Sequence, residues 1–174
     1  KGTIDCPDLP LNVSRSALQN DGFVTKISDY ITKKVADKLS GMCKTDRENY
    51  EKYWEDIHPF VKFGCIRDDK FAEKMDEYVI YKDIDDKYIT LADALEENKE
   101  KHENTVFYVT NKNTQAGYIA MFKKARINAV YMEGIIDANY IQHLEMKNEG
   151  LKFIRVDADL DKALTKRTSK ADQA

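Results

Sequence analysis

The groups of this 174-residue chain that could carry proton transfer, nucleophilic attack or metal binding are three histidines, three cysteines and an abundance of carboxylates. Their spacing assembles no local centre. His58, His102 and His143 lie too far apart in sequence for a metal-binding motif. Cys6, Cys43 and Cys65 are odd in number, widely spaced and without a C-x-x-C, so neither a disulfide framework nor a zinc site is expected. Each reads as a small buried hydrophobe, which suits a reducing, cytosolic setting. The acid pairs Asp68-Asp69 and Asp85-Asp86 read as solvated loops or helix starts rather than acid/base dyads. No G-x-G-x-x-G, G-x-x-x-x-G-K-[ST] or G-x-S-x-G occurs, and no Cys pairs locally with a His. These motifs give the chain no self-contained active site and no metal centre.

One segment stands apart: Asp8-Leu9-Pro10-Leu11-Asn12-Val13-Ser14-Arg15-Ser16-Ala17-Leu18-Gln19. Pro7 and Pro10 hold the approach to it extended, and Ser14 can cap a short turn. Arg15 then falls in a first turn with Gln19 four residues on. Taken alone, Arg15 is a solvated arginine and Gln19 its i+4 neighbour. The chain opens at Lys1 with no initiator Met, as expected of a piece of a longer protein.

The elements that must position these groups follow from periodicity. After Asp21-Gly22, apolar residues Val24, Ile27, Ile31, Val35, Leu39 and Met42 recur at steps of three and four, a long amphipathic helix that Gly41 and Lys44-Thr45-Asp46 bring to an end. Thr45 and Glu48 form a capping-box pattern ahead of Tyr50, Tyr53, Trp54 and Ile57, one face of a second helix that Pro59 ends or kinks. Asp68 or Asp69 starts a third helix, with Phe71, Ala72, Met75 and Val79 inward. Thr90-Leu91-Ala92-Asp93 caps a fourth, running to about Glu97. The aromatic stripes could line a binding groove, but at this spacing they read as core.

After His102 the period changes. Residues 105–110, 129–132 and 152–156 are short β-branched and aromatic runs, separated by helical stretches at 115–125 and 137–147. That order predicts a βαβαβ unit with a small parallel sheet and right-handed crossovers. The expected fold is mixed α and β. A helical first subdomain (1–100) precedes a small three-stranded αβα subdomain (101–160). Residues 161–174 form a last helix or a frayed tail, with Leu160 and Leu164 as its apolar positions.

Composition narrows the function classes. Lys plus Arg is 28 and Asp plus Glu is 31, a net charge of −3, which argues against an electrostatic nucleic-acid binder. Residues 1–100 are net −6 and residues 101–174 net +3, a mild asymmetry and no basic patch. No apolar run approaches the roughly 18 residues of a membrane span.

The string from Asp8 to Gln19 closely resembles the signature of the Hsp90 chaperones, including the bacterial high-temperature protein G branch, whose arginine loop reads D-L-P-L-N-x-S-R-x-x-L-Q. Further pieces come in the family's order: Lys33-Lys34-Val35, Tyr53-Trp54-Glu55, Val61-Lys62-Phe63-Gly64 as its K-x-G loop, Phe107-Tyr108-Val109-Thr110, and Ile136-Asp137. The resemblance implies the C-terminal part of the middle domain of an ATP-driven chaperone. Arg15 would then contact the γ-phosphate of ATP held, with Mg, by the N-terminal domain. Gln19 would support Arg15 one turn later, and Asn12 would fix the loop that presents it. The implied partners are that N-terminal ATPase domain, the C-terminal dimerisation domain and unfolded client proteins, in a cytoplasmic homodimer whose isolated fragment is monomeric and inactive as an ATPase. Ser16 stands where the family has Glu, Cys6 where Ser is common, and Asn111 where Gly follows the strand. The first departure alters a salt bridge that would restrain the arginine loop. Two rival readings rest on the residues alone: a non-enzymatic protein-docking module, and a flavodoxin-like ligand-binding domain built on the βαβαβ unit.

Overall fold

The computed structural model describes residues 22–158. The readings placed on Cys6, Asn12, Arg15, Gln19, Leu160 and Leu164 lie outside them.

Helix α1 (Gly22–Thr45) is followed, across the single residue Asp46, by α2 (Arg47–Arg67) and then α3 (Asp69–Met75). A 3-10 turn at Asp76–Tyr78 leads into β1 (Ile80–Lys82), β2 (Tyr88–Thr90) and α4 (Leu91–Asn98). The rest alternates: β3 (Thr105–Val109), α5 (Ala116–Ala125), β4 (Ala129–Tyr131), α6 (Asp137–Lys147) and β5 (Lys152–Arg155). Strands β4, β3 and β5 form one sheet in that order, both pairings parallel. The parallel three-stranded unit is therefore as its period predicts.

The pleat assigns the two faces of this sheet to two cores. Val106, Val130 and Met132 join the larger core with α1, α2, α3 and α6, and Tyr108 and Phe153 pack against it. Phe107, Val109 and Ala129 face the other way, onto Ile119 and Phe122 of α5, with Ile154 packed beside them. Helix α6 thus lies between the sheet and the helical unit. Its Tyr140, Ile141 and Leu144 fill the same core as Tyr50, Trp54 and Val61 of α2.

Several local signals read differently once packed. Gly41 does not end α1, which runs on to Thr45, whose hydroxyl donates to the Gly41 carbonyl at 2.9 Å. With Thr45 inside the helix, Asp46 takes the N-cap position and the Thr45–Glu48 box does not form. Pro59 does not end α2, which continues through it to Arg67, so Val61–Gly64 is helix and not a loop. A proline inside a helix costs about 3 kcal/mol. Burial of Tyr50, Trp54, Val61 and Cys65 along the same helix offsets that cost. Asp68 is the cap of α3, its Oδ1 accepting from the Phe71 N–H at 3.1 Å. Val79 lies beyond α3, after the 3-10 turn, and is fully buried. The Thr90–Asp93 box forms completely.

The antiparallel pair β1–β2 has no counterpart in the periodicity, because three-residue strands carry too few alternations to show. Its turn contains Asp85 and Asp86. Asp83 organises it by accepting from the N–H groups of Asp85 and Lys87 at 2.9 and 2.8 Å. The pair docks beside β4 through an Asp83–Val130 bridge and the Ile84 N–H to Ala129 carbonyl bond at 2.9 Å.

Cys43 and Cys65 are both buried, as small hydrophobes should be. Burial pushes the Cys65 thiol up to about 12, so it stays protonated and unreactive.

Two glycines of the helical unit make a paired prediction with opposite signs. A Cβ at Gly64 would sit 2.7 Å from Cε1 of the buried Phe71, whereas one at Gly41 would meet nothing within 4 Å. Gly41→Ala should therefore stabilise by roughly 0.5–1 kcal/mol, the helix-propensity gain. Gly64→Ala should destabilise by about 1–2 kcal/mol, since overpacking outweighs the same gain. Urea unfolding of the two variants measures both; equal shifts would show that Phe71 yields freely.

Candidate functional site

Trp54, His58 and Lys62 repeat every four residues and so project from one face of α2. That face meets the β4–α6 connection and β1 across a cleft of about 460 Å³, also lined by Glu55, Tyr81, Tyr88, Tyr131 and Asp137. At its floor Lys62 Nζ lies 2.5 Å from Asp137 Oδ1, and each side chain is only 4% exposed. The two residues are 75 positions apart in sequence. Asp137 is the first residue of α6, where the helix dipole favours a carboxylate.

The second carboxylate oxygen is also occupied. Asp137 Oδ2 accepts the Gly134 N–H at 2.8 Å, and the Gly134 carbonyl accepts the Asp137 N–H at 3.0 Å. The chain returns so tightly that a Cβ at Gly134 would lie 3.1 Å from Oδ2 and 3.6 Å from Cε1 of His58. The Lys62 ammonium further sits 5.7 Å from the Tyr81 ring centroid and 5.8 Å from that of Tyr140. These ring faces supply negative potential where water has been removed. Burial pulls the Lys62 ammonium down from its ordinary value, and the Asp137 carboxylate opposes that.

The rim is polar and braced. The Tyr88 hydroxyl donates to Glu55, Lys112 Nζ reaches Asp86 at 3.1 Å, and the Lys112 N–H donates to Glu133 at 2.6 Å. Arg47 braces two of the lining residues from behind, donating to Glu51 at 2.6 Å and to the Tyr88 carbonyl at 3.3 Å, and also to Cys43 Sγ at 3.2 Å. His58 is different. Burial is the main cause, with the Lys62 charge second, that holds its imidazole below the ordinary value, while Asp137 and Glu55 pull the other way. Its Nδ1 is buried without a hydrogen-bond partner.

This arrangement fastens two units together and does not resemble a reaction centre. Both oxygens of Asp137 are engaged, so it is no free base, and Lys62 is held by it. Among the described residues no group of three or more His, Cys, Asp or Glu could hold a metal. Among the same residues no helix is long and apolar enough to cross a membrane. Asn12, Arg15 and Gln19 lie outside the described residues, so the cleft and the arginine segment are separate findings. Lys62 and Asp137 were within reach of sequence reading only as members of two quoted pieces, Val61-Lys62-Phe63-Gly64 and Ile136-Asp137. Nothing in either piece announces that they pair.

A family profile described as Hsp90 protein matches residues 1–174. The chaperone protein htpG of Bacteroides fragilis is 38% identical over 98% of this chain, and that of Porphyromonas gingivalis 36% over 98%. In each case the chain covers 26% of the relative, so it spans about a quarter of the length of the curated proteins it matches. Among solved structures, the middle domain of a Plasmodium falciparum heat shock protein superposes with a TM-score of 0.63 at 18% identity, over 80% of this chain and 60% of that one.

The buried pair makes a sharp energetic prediction. Lys62→Met leaves the Asp137 carboxylate buried beside an apolar group and should cost about 3–5 kcal/mol. Adding Asp137→Asn, which keeps an acceptor for Gly134 and removes the charge, should recover most of that loss. Thermal or urea unfolding of the single and double variants decides it; a double variant no more stable than Lys62→Met would show that the cost lies elsewhere.

Proposed function

Because the chain belongs to the Hsp90 family, we propose that it works as the C-terminal part of the middle domain of an ATP-driven chaperone, lending Arg15 to ATP bound by the N-terminal domain. One observation carries this reading: the uninterrupted string Asp8-Leu9-Pro10-Leu11-Asn12-Val13-Ser14-Arg15, inside a chain that the family profile matches from end to end. The supporting chemistry is that of phosphoryl transfer. Charge accumulates on the γ-phosphoryl oxygens, and a planar guanidinium fork stabilises it from outside the nucleotide pocket. Gln19 supports the arginine from the next turn, and Asn12 holds the loop. An arginine supplied by a neighbouring domain also makes hydrolysis wait for domain docking. ATP and its Mg ion belong to that neighbouring domain. Unfolded clients and the dimerisation domain are the remaining partners in the proposal, and the cytoplasm is its location.

In the full-length protein, Arg15→Ala should leave ATP affinity nearly unchanged and slow hydrolysis by about tenfold to a hundredfold, because the lost contact strengthens as charge develops. Lys at position 15 should rescue in part, keeping the charge and losing the fork. Gln19→Ala should act in the same direction with a smaller effect. Steady-state hydrolysis measured beside equilibrium ATP binding tests all three. Wild-type turnover in Arg15→Ala removes the catalytic role and returns Arg15 to a solvated surface residue.

A further inference from the structure

In the seam where α2 meets the first turn of α6, Asp137, Lys62 and His58 come together at the floor of the cleft. Asp137 is already shared between Lys62 and the Gly134 N–H, so neither oxygen is left for a third partner. His58 stands one helical turn before Lys62 on the same face, its Cε1 3.6 Å from where a Cβ at Gly134 would be. On the other side its ring lies against Trp54, centroids 6.3 Å apart. The Nδ1 atom is buried and meets no donor or acceptor. In the neutral ring, with its proton on Nε2, Nδ1 is a bare acceptor, which is a modest loss. Protonation would convert it into a charged N–H with no acceptor, beside an ammonium that already neutralises the local carboxylate.

We infer that His58 makes this seam a pH-sensitive latch, closed over neutral imidazole and loosened when the ring takes up a proton. The charged groups that face the ring set the sign. Lys62 from α2 opposes its protonation. Asp137 from α6 and Glu55 from α2 favour it; β1 contributes Tyr81 and Lys82 to the same cleft, β4 contributes Tyr131, and the β4–α6 connection contributes Glu133. Burial opposes protonation most, and burial is what opening relieves. The closed seam therefore binds the proton more weakly than the open one. Closure is fully favoured above the free imidazole value of about 6.5 and weakens as pH falls below it. The moving parts are the β4–α6 connection and the first turn of α6, which carry Gly134 and Asp137. The latch is independent of whether Arg15 reaches a nucleotide.

Amide hydrogen exchange of the full 174-residue chain at pH 7.5 and 5.5 tests it, read as protection factors so that the intrinsic pH dependence of exchange cancels. Histidine is the side chain whose ordinary value lies inside this window. Protection across Gly134–Asn139 should fall severalfold in the wild type, up to a limit of about tenfold set by an open form that titrates at the free imidazole value. His58→Gln should abolish the fall. His143→Gln, which changes the histidine stacked on Tyr140 of α6, should retain it. Unchanged protection in the wild type, or an undiminished fall in His58→Gln, overturns the inference. Should His58→Gln fail to fold, the wild-type imidazole titration followed by NMR serves instead. A His58 midpoint below the free value supports the latch, and one at or above it overturns it.

Discussion

The arrangement of the described residues depends on one interaction, the ion pair of Lys62 and Asp137. Taking two charges out of water costs several kcal/mol each, and the cost is recovered only with good geometry and fully engaged polar atoms. Here both conditions are met. The ammonium has the carboxylate on one side and the faces of Tyr81 and Tyr140 around it, and the second carboxylate oxygen is held by Gly134. Such a pair adds little net stability over an apolar contact. What it does is penalise every alternative packing, because any slip of α6 along α2 strands a charge.

That constraint explains why residues far from the pair are as they are. The first residue of α6 is acidic, and the turn before it holds a glycine where a Cβ would crowd the same carboxylate. Helix α2 must stay helical through Pro59 to bring Lys62 round to the face that carries Trp54 and His58. The sheet then needs two apolar faces, one for α6 and the helical unit, the other for α5. The alternation of Val106 and Tyr108 with Phe107 and Val109 provides them.

For a chaperone middle domain this design has a mechanical reading. In sequence, helix α1 begins at Gly22, three residues after Gln19, and α2 packs against both α1 and α6. A helical unit that shares one core with the sheet and α6, with a buried charge pair inside it, would transmit displacement as a body. The cleft above the pair is therefore better understood as a joint than as a pocket awaiting substrate.

The amino-acid sequence by itself determined the element types and the parallel sheet, because 3.6- and 2-residue periods persist over enough residues to be distinguished. It also carried the family string around Arg15, because a contiguous motif needs no folding to be read. Tertiary structure decided the rest. Thr45 lost its cap and Pro59 kept its helix because burial of a whole face outweighs a local preference of a few kcal/mol. The β1–β2 pair emerged only against the edge of β4, where short strands find the partners they lack alone. Lys62 and Asp137 look in sequence like two charges among many. Only a fold that brings positions 75 residues apart within 2.5 Å, and excludes water around them, turns them into the joint of the molecule.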